Sequence, residues 1–377
     1  MQLSSYWRIM KRLLVVTGEL SALNYAKEIV RSLRDKLEIY TVSLAEIEGA
    51  KRVLDANLIT AFGIFEAARK LPSIYRGFRQ VKAFLKEEKP DAVLLIDFPG
   101  FNLKVAKAAK ELGIKVIYFI SPKFWAWGEK RGRLISKVVD RMYVIFPFEV
   151  ELYRKFGLNA IYVGNPVVDR VKPLLTRDEF LRKFGISGER LTIALLPGSR
   201  FSEIKYVLPP MLQASKILGN RFQFILPVAK SLPFKVVKRE VMSVNPEVKV
   251  VPGDYVYDVM FYSDVGIVTS GTATLESAVA GLPHVAVYKL NRFTYYIAKK
   301  LVKVNHIALP NIVAGKEVVR ELIQDEVTPE IISDEVRRLI ETRERLSEKL
   351  RSEVAIKLKP KAIERLCSFL NKDLLLD

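Results

Sequence analysis

What most constrains this chain is an alternation: short apolar runs, each ended by turn residues, separated by longer stretches with helical spacing of apolar side chains. In the first half the runs are 13–17, 37–42, 92–96, 116–120, 142–146 and 160–163. Short continuous apolar runs bounded by turns have the pattern of strands buried on both faces. Between them, 26–34, 74–87, 102–112 and 149–156 carry apolar residues at helical spacing. Strand then helix, repeated, builds a parallel sheet with both faces covered. The second half repeats the pattern with runs at 191–196, 222–227, 248–251, 265–269, 284–288 and 306–309. The expected fold class is therefore α/β, with two Rossmann-like doubly wound domains facing a cleft.

Length agrees, because 377 residues exceed what one core of ordinary size takes up. The junction is expected in 164–173, ahead of a charged helix at 177–184. The strand signal stops after Asp325, and 329–350 and 361–370 have helical spacing. The expected domains are 1–168 and 169–345, with the C-terminal helices of 346–377 packing across the domains and returning to the first. A single cysteine, Cys367, excludes an intramolecular disulfide, and with two histidines little is available for a soft-metal site. No run of 18 apolar residues occurs, so neither a secretion signal nor a spanning helix is expected. The net charge of +19 points to polyanions: nucleic acid, anionic lipid or phosphorylated substrates. The basic residues are spread along the chain without the aromatic and basic pattern of an RNA-recognition sheet, which weighs against nucleic acid.

Ligands of open α/β sheets gather beyond the carboxyl ends of strands, so the turns there carry the chemistry. Leu195-Leu196-Pro197-Gly198-Ser199-Arg200 ends a strand in a tight turn whose amides can face a phosphate, with the Arg200 fork suited to a diphosphate; a solvated arginine on an ordinary turn is the alternative. Ser270, Gly271 and Thr272 precede a helix whose N-terminus favours an anion. Glu276 in that helix can accept from a ribose diol, or else complete a capping box. Asp97 follows an apolar strand and sits among Phe98, Pro99 and Phe101, a setting that desolvates a carboxylate and suits a general base. The alternative is a helix cap, for which Asn102 competes. In 308–317, Asn311 and Gly315, with Gln324 on an expected following helix, can hold a sugar or diphosphate, or can simply form a loop.

Together these turns resemble the lipid-A-disaccharide synthases over nearly the whole chain. The resemblance rests on Ile96-Asp97-Phe98-Pro99-Gly100-Phe101-Asn102, Ser121-Pro122-Lys123-Phe124-Trp125-Ala126-Trp127, Phe146-Pro147-Phe148-Glu149, Val163-Gly164-Asn165-Pro166, the Arg200 turn with Ser202-Glu203, and the stretches 270–276 and 309–315. It implies a two-domain GT-B glycosyltransferase, inverting and needing no cofactor or metal, that joins UDP-2,3-diacylglucosamine to 2,3-diacylglucosamine 1-phosphate through a β-1,6 bond. Asp97 would be the base; Ser199, Arg200, Ser270, Gly271, Thr272, Glu276, Asn311, Gly315 and Gln324 would serve the donor. Gly18, Glu19 and Ser21, in the stretch matching the family's opening motif, and Asn102 would serve the acceptor. That opening motif departs from the family pattern at Ala22 and Leu23. Rival readings are another GT-B transferase, a UDP-sugar epimerase, or a basic non-catalytic binder of membrane or nucleic acid.

A lipid substrate requires a route to the bilayer. The segment 61–79 interleaves aromatic and basic residues, and the expectation is that Phe62, Phe65, Ile74 and Phe78 meet acyl chains while Arg69, Arg76 and Arg79 meet lipid phosphates. Packing of these aromatics under the first sheet is the alternative. The implied location is cytoplasmic, peripheral to the inner membrane of a Gram-negative bacterium.

Overall fold

The computed structural model describes residues 10–60, 64–122, 129–291, 295–296 and 305–375. The chain divides into two compact units, Met1–Pro166 with Lys361–Asp377, and Val167–Pro360. The division falls inside the expected junction. The return to the first unit begins at Lys361, so residues 346–360, expected in the returning segment, belong to the second unit.

Unit 1 holds a seven-stranded sheet: β1 (Arg12–Thr17), β2 (Glu38–Ser43), β3 (Lys51–Asp55), β4 (Ala92–Ile96), β5 (Lys115–Phe119), β6 (Arg141–Val144) and β7 (Ala160–Tyr162). Their order is β3-β2-β1-β4-β5-β6-β7, and all pairs are parallel. Alternation along buried strands separates two cores. Leu14, Val16, Val93 and Leu95 face Phe101 and Val105 of the helix Pro99–Glu111. Leu13, Val15, Leu94 and Ile96 face Ile29 and Val30 of the helix Leu20–Leu33 and Leu366 of the last helix, Ala362–Leu375. That last helix is fastened at its far end, where Asp373 accepts from the Tyr143 hydroxyl at 2.6 Å.

Unit 2 holds a six-stranded parallel sheet: β8 (Thr192–Leu196), β9 (Gln223–Val228), β10 (Lys249–Pro252), β11 (Val265–Thr269), β12 (His284–Tyr288) and β13 (Glu321–Ile323), in the order β10-β9-β8-β11-β12-β13. One face packs on the helix Phe201–Leu218 and on Ile332, Val336 and Leu339 of the long helix Pro329–Glu353. The other packs on Phe180, Val259, Met260 and Leu282. The two C-terminal helices thus go to different units, each to one core.

Three expectations need correction. Residues 51–55 form a strand, although their charged sequence did not suggest one. The run 306–309 is not a strand: it leads into the short helix Leu309–Ala314, where Pro310 sits in the first turn without needing its missing N–H. The last strand is Glu321–Ile323 instead, so Gln324 opens a 3-10 turn rather than lying on a helix.

Candidate active site

In each sheet the strand order reverses once, between β1 and β4 and between β8 and β11, and these reversal points are where doubly wound sheets bind ligands. In unit 1 the register pairs Thr17 with Ile96, so Gly18 and Asp97 leave the sheet side by side. Asp97 and Phe98 both adopt left-handed backbone, at φ 49° and 50°. Such residues cost about 1–3 kcal/mol each and persist only where the surroundings hold them. Here the Asp97 N–H donates to Phe119 O at 3.0 Å. Its carbonyl accepts from the Tyr118 hydroxyl at 2.6 Å and from Asn102 Nδ2 at 2.8 Å. The Phe98 ring stacks on Phe101 and lies over Gly18, where an added Cβ would come within 2.5 Å of it. The chain thereby turns sharply from strand to helix with Asp97 partly exposed at the bend. Asn102, expected to serve the acceptor, is fully buried, and its amide also reaches Ile96 O, so it braces this turn. Glu19 is exposed at the start of the helix Leu20–Leu33, and Ser21 lies in its first turn.

In unit 2 the register pairs Leu196 with Val268, which puts the Arg200 turn beside the Ser270 turn. The two turns differ in what they offer. The Glu203 carboxylate folds back to accept from the Ser199 N–H at 2.7 Å and the Arg200 N–H at 3.1 Å, and it pairs with the Arg200 guanidinium at 2.8 Å. A Cβ on Gly198 would sit 2.2 Å from that carboxylate, and φ there is +106°. The expectation that these amides face a phosphate is therefore corrected: Glu203 occupies them. The Arg200 side chain remains 73% exposed. After β11, by contrast, the helix Thr272–Ala280 starts at exposed Gly271 with no side-chain cap, and Thr272 is also exposed. No side chain takes its first amides, and the dipole favours an anion there. Ser270 Oγ donates to Ile307 O at 3.2 Å.

Glu276 is not a capping residue. Arg170 donates to its Oε1 at 2.6 Å and the Tyr257 hydroxyl at 3.1 Å. Burial, then the Glu276 charge, raise the Tyr257 phenol above its ordinary range. Arg170 lies 106 residues away in sequence, and nothing local announces the pair.

Asn311 and Gln324, expected in the donor set, are both buried braces. Asn311 Oδ1 accepts from the Val318 and Val319 N–H groups at 2.7 and 2.9 Å, while Nδ2 donates to Val319 O and Glu321 Oε1, both at 2.8 Å. Glu321 also receives the Ile307 and Ala308 N–H groups. Gln324 bonds both backbone groups of Leu290. With four bonds spent inside the fold, Asn311 shapes the loop rather than reaching out of it. Gly315 is exposed and closes the helix Leu309–Ala314 in left-handed backbone.

In the helix Ile64–Glu88, the side chains of Ile74 and Phe78 pack on the unit 1 core, Phe78 edge-on to Phe101 at 6.4 Å. This corrects their assignment to the lipid: the helical spacing serves the core. Arg69, Arg76 and Arg79 are exposed, as are Leu71 and Tyr75 at 60% and 64%. Phe62 lies outside the described residues, as does the side chain of Phe65, and residues 123–127 of the Ser121 motif are also outside them. Among the described residues no helix is long and apolar enough to cross a membrane.

Two parallel Rossmann-like sheets with chemistry-bearing turns at both reversal points define the GT-B class. MurG of Acinetobacter baumannii has this fold (TM-score 0.58, 15% identity, 97% of this chain and 100% of that one). So does MnaA of S. aureus, solved with UDP (TM-score 0.67, 14% identity, 98% of each chain). Within that class, the lipid-A-disaccharide synthetase family model matches residues 13–370, and the chain belongs to this family. The lipid-A-disaccharide synthase of Geobacter metallireducens is 41% identical over 340 residues, 88% of each chain. That of Trichlorobacter lovleyi is 39% identical over 338 residues, again 88% of each.

Proposed function

We propose that this chain joins UDP-2,3-diacylglucosamine to 2,3-diacylglucosamine 1-phosphate, forming a β-1,6 disaccharide 1-phosphate and releasing UDP. The observation that carries the reading is the family match from end to end, with its Asp97 motif on a held strand-to-helix bend at the unit 1 reversal point. An inverting transfer forms the acceptor oxygen–anomeric carbon bond as the bond to UDP breaks on the opposite face. The acceptor proton passes to a base, for which Asp97 stands ready. The departing diphosphate needs positive charge, supplied by Arg200 and the uncapped helix N-terminus at Gly271, without a metal. Glu276, already oriented by Arg170 and Tyr257, serves the ribose. Unit 1 then carries the acceptor function and unit 2 the donor function. The epimerase reading shares the fold but is disfavoured by the family match.

The lipid substrate calls for attachment to a bilayer, in this reading the inner membrane of a Gram-negative bacterium. Exposed Leu71 and Tyr75 beside Arg69, Arg76 and Arg79 support it, because basic residues at an anionic surface contribute about 1 kcal/mol each. The test is mass spectrometry of products from synthetic acylated donor and acceptor. Wild type yields the disaccharide 1-phosphate, and Asp97→Asn yields none while binding UDP as wild type does. A product other than that disaccharide refutes the reading, and normal turnover in the Asn variant removes Asp97 from it.

A further inference from the structure

We propose that Tyr118 is a positioning residue for the transfer, its hydroxyl pinning the Asp97 carbonyl so that the Asp97 carboxylate is aimed at the acceptor. This deepens the proposed function and rests on Asp97 being the base.

Among the described residues, Asp97 and Phe98 are the one pair of consecutive non-glycine residues with positive φ. A bend of this kind at the top of a strand projects one side chain out of an α/β sheet, as strained strand-to-helix elbows do for other reactive groups. The direction of the Asp97 Cα–Cβ bond is set by the two peptide planes that flank it, and both are held. The N–H is tied to β5 through Phe119 O. The carbonyl is tied by two donors, and the Tyr118 bond at 2.6 Å is the shorter. Tyr118 belongs to the neighbouring strand and is wholly buried, so its ring cannot swing away. Burial, then the charge of Asp97, push its phenol well above the ordinary range. At neutral pH the hydroxyl therefore keeps its proton and donates. A buried tyrosine needed only for packing would be replaced by phenylalanine without consequence; here the hydroxyl holds the Asp97 carbonyl, with the Asn102 side chain bonded beside it.

Tyr118→Phe keeps the ring and removes the task. A misplacement of about 1 Å at a reacting group costs on the order of 100-fold, so kcat is expected to fall ten- to hundredfold. The KM for both substrates and the affinity for UDP should stay at wild-type values. Asn102→Ala, which removes the other donor, is expected to give the same selective loss of kcat, and wild-type hydrogen-exchange protection across 92–119 reports that unit 1 is folded in each variant. Wild-type kcat in Tyr118→Phe alongside an inactive Asp97→Asn overturns the proposal and leaves the base in place. A raised KM or weakened UDP binding in Tyr118→Phe at wild-type kcat overturns it too, since the effect then bypasses Asp97. Full turnover by Asp97→Asn alone overturns the underlying reading of the base and the proposal with it.

Discussion

Asn311→Ala separates a brace from a ligand contact. The side chain is fully buried and makes four hydrogen bonds, three with backbone groups of Val318 and Val319 and one with the Glu321 carboxylate. A neutral bond contributes about 0.5–1.5 kcal/mol and one to a charged group about 1.5–3 kcal/mol. These terms overlap, because the four bonds share one side chain, so the expected loss is about 3–5 kcal/mol rather than their sum. Since two units need not unfold together, the assay must report on unit 2 locally. Hydrogen exchange followed by mass spectrometry across 305–324 does so, and the Val318 and Val319 amides should lose protection. Asn311→Asp is the informative control: it keeps acceptors for both N–H groups but sets a second carboxylate against Glu321. It should also destabilise, and lowering the pH should relieve part of the loss. UDP affinity, measured where the variant is still folded, should fall less than tenfold. If Asn311→Ala keeps wild-type protection yet loses UDP affinity by far more, the side chain touches the donor and the brace reasoning is wrong.

Arg200→Ala and Glu276→Ala should each weaken UDP binding by about 1.5–3 kcal/mol, the worth of a charged hydrogen bond; unchanged titrations in both would move the donor elsewhere. Replacing Arg69, Arg76 and Arg79 together with Ser should lower affinity for anionic vesicles by about 3 kcal/mol and leave binding to neutral vesicles alone. Equal sedimentation of wild type and variant would dismiss the surface. His284 is wholly buried, which lowers its pKa from 6.5 to about 4. Above pH 6.5 it is neutral folded and unfolded; as pH falls towards 4 only the unfolded chain takes the proton, so stability drops by about 3 kcal/mol across that window. Urea midpoints at pH 7 and pH 5 check the slope, which His284→Gln should flatten.

The alternation of buried strands and helices was legible because burial on both faces leaves uninterrupted apolar runs. Lys51–Asp55 was not, since an edge strand with one neighbour can be charged, and edges are commonly kept so. Glu321–Ile323 is only three residues long, and its identity comes from pairing with β12 rather than from its own pattern. Asp97, Arg200 and Glu276 were legible as candidates because they follow strands in recognisable turns. Tyr118, Tyr257 and Arg170 were not, because each acts through a partner contributed by another element. The same limit hid the bracing bonds of Asn311 and Gln324: a polar residue in a loop has one appearance in sequence whether it faces a ligand or a buried backbone.

The two turns of unit 2 make this point chemically. Both begin as a strand running into a glycine and a hydroxyl residue ahead of a helix, and both promise amides for a phosphate. In the first turn Glu203, three residues past Arg200, takes the amides for itself, so the turn's net offering is a guanidinium held by one arm. In the second the residue three past Gly271 is Thr274, whose hydroxyl donates to Gly271 O and leaves the leading amides of the helix uncapped. An approaching diphosphate therefore meets one cation and one dipole on adjacent strands, not two equivalent cradles. The guanidinium is an exposed side-chain tip and the amides belong to the helix backbone, so in the proposed function the second turn would set where a phosphate sits and the first would adapt to it.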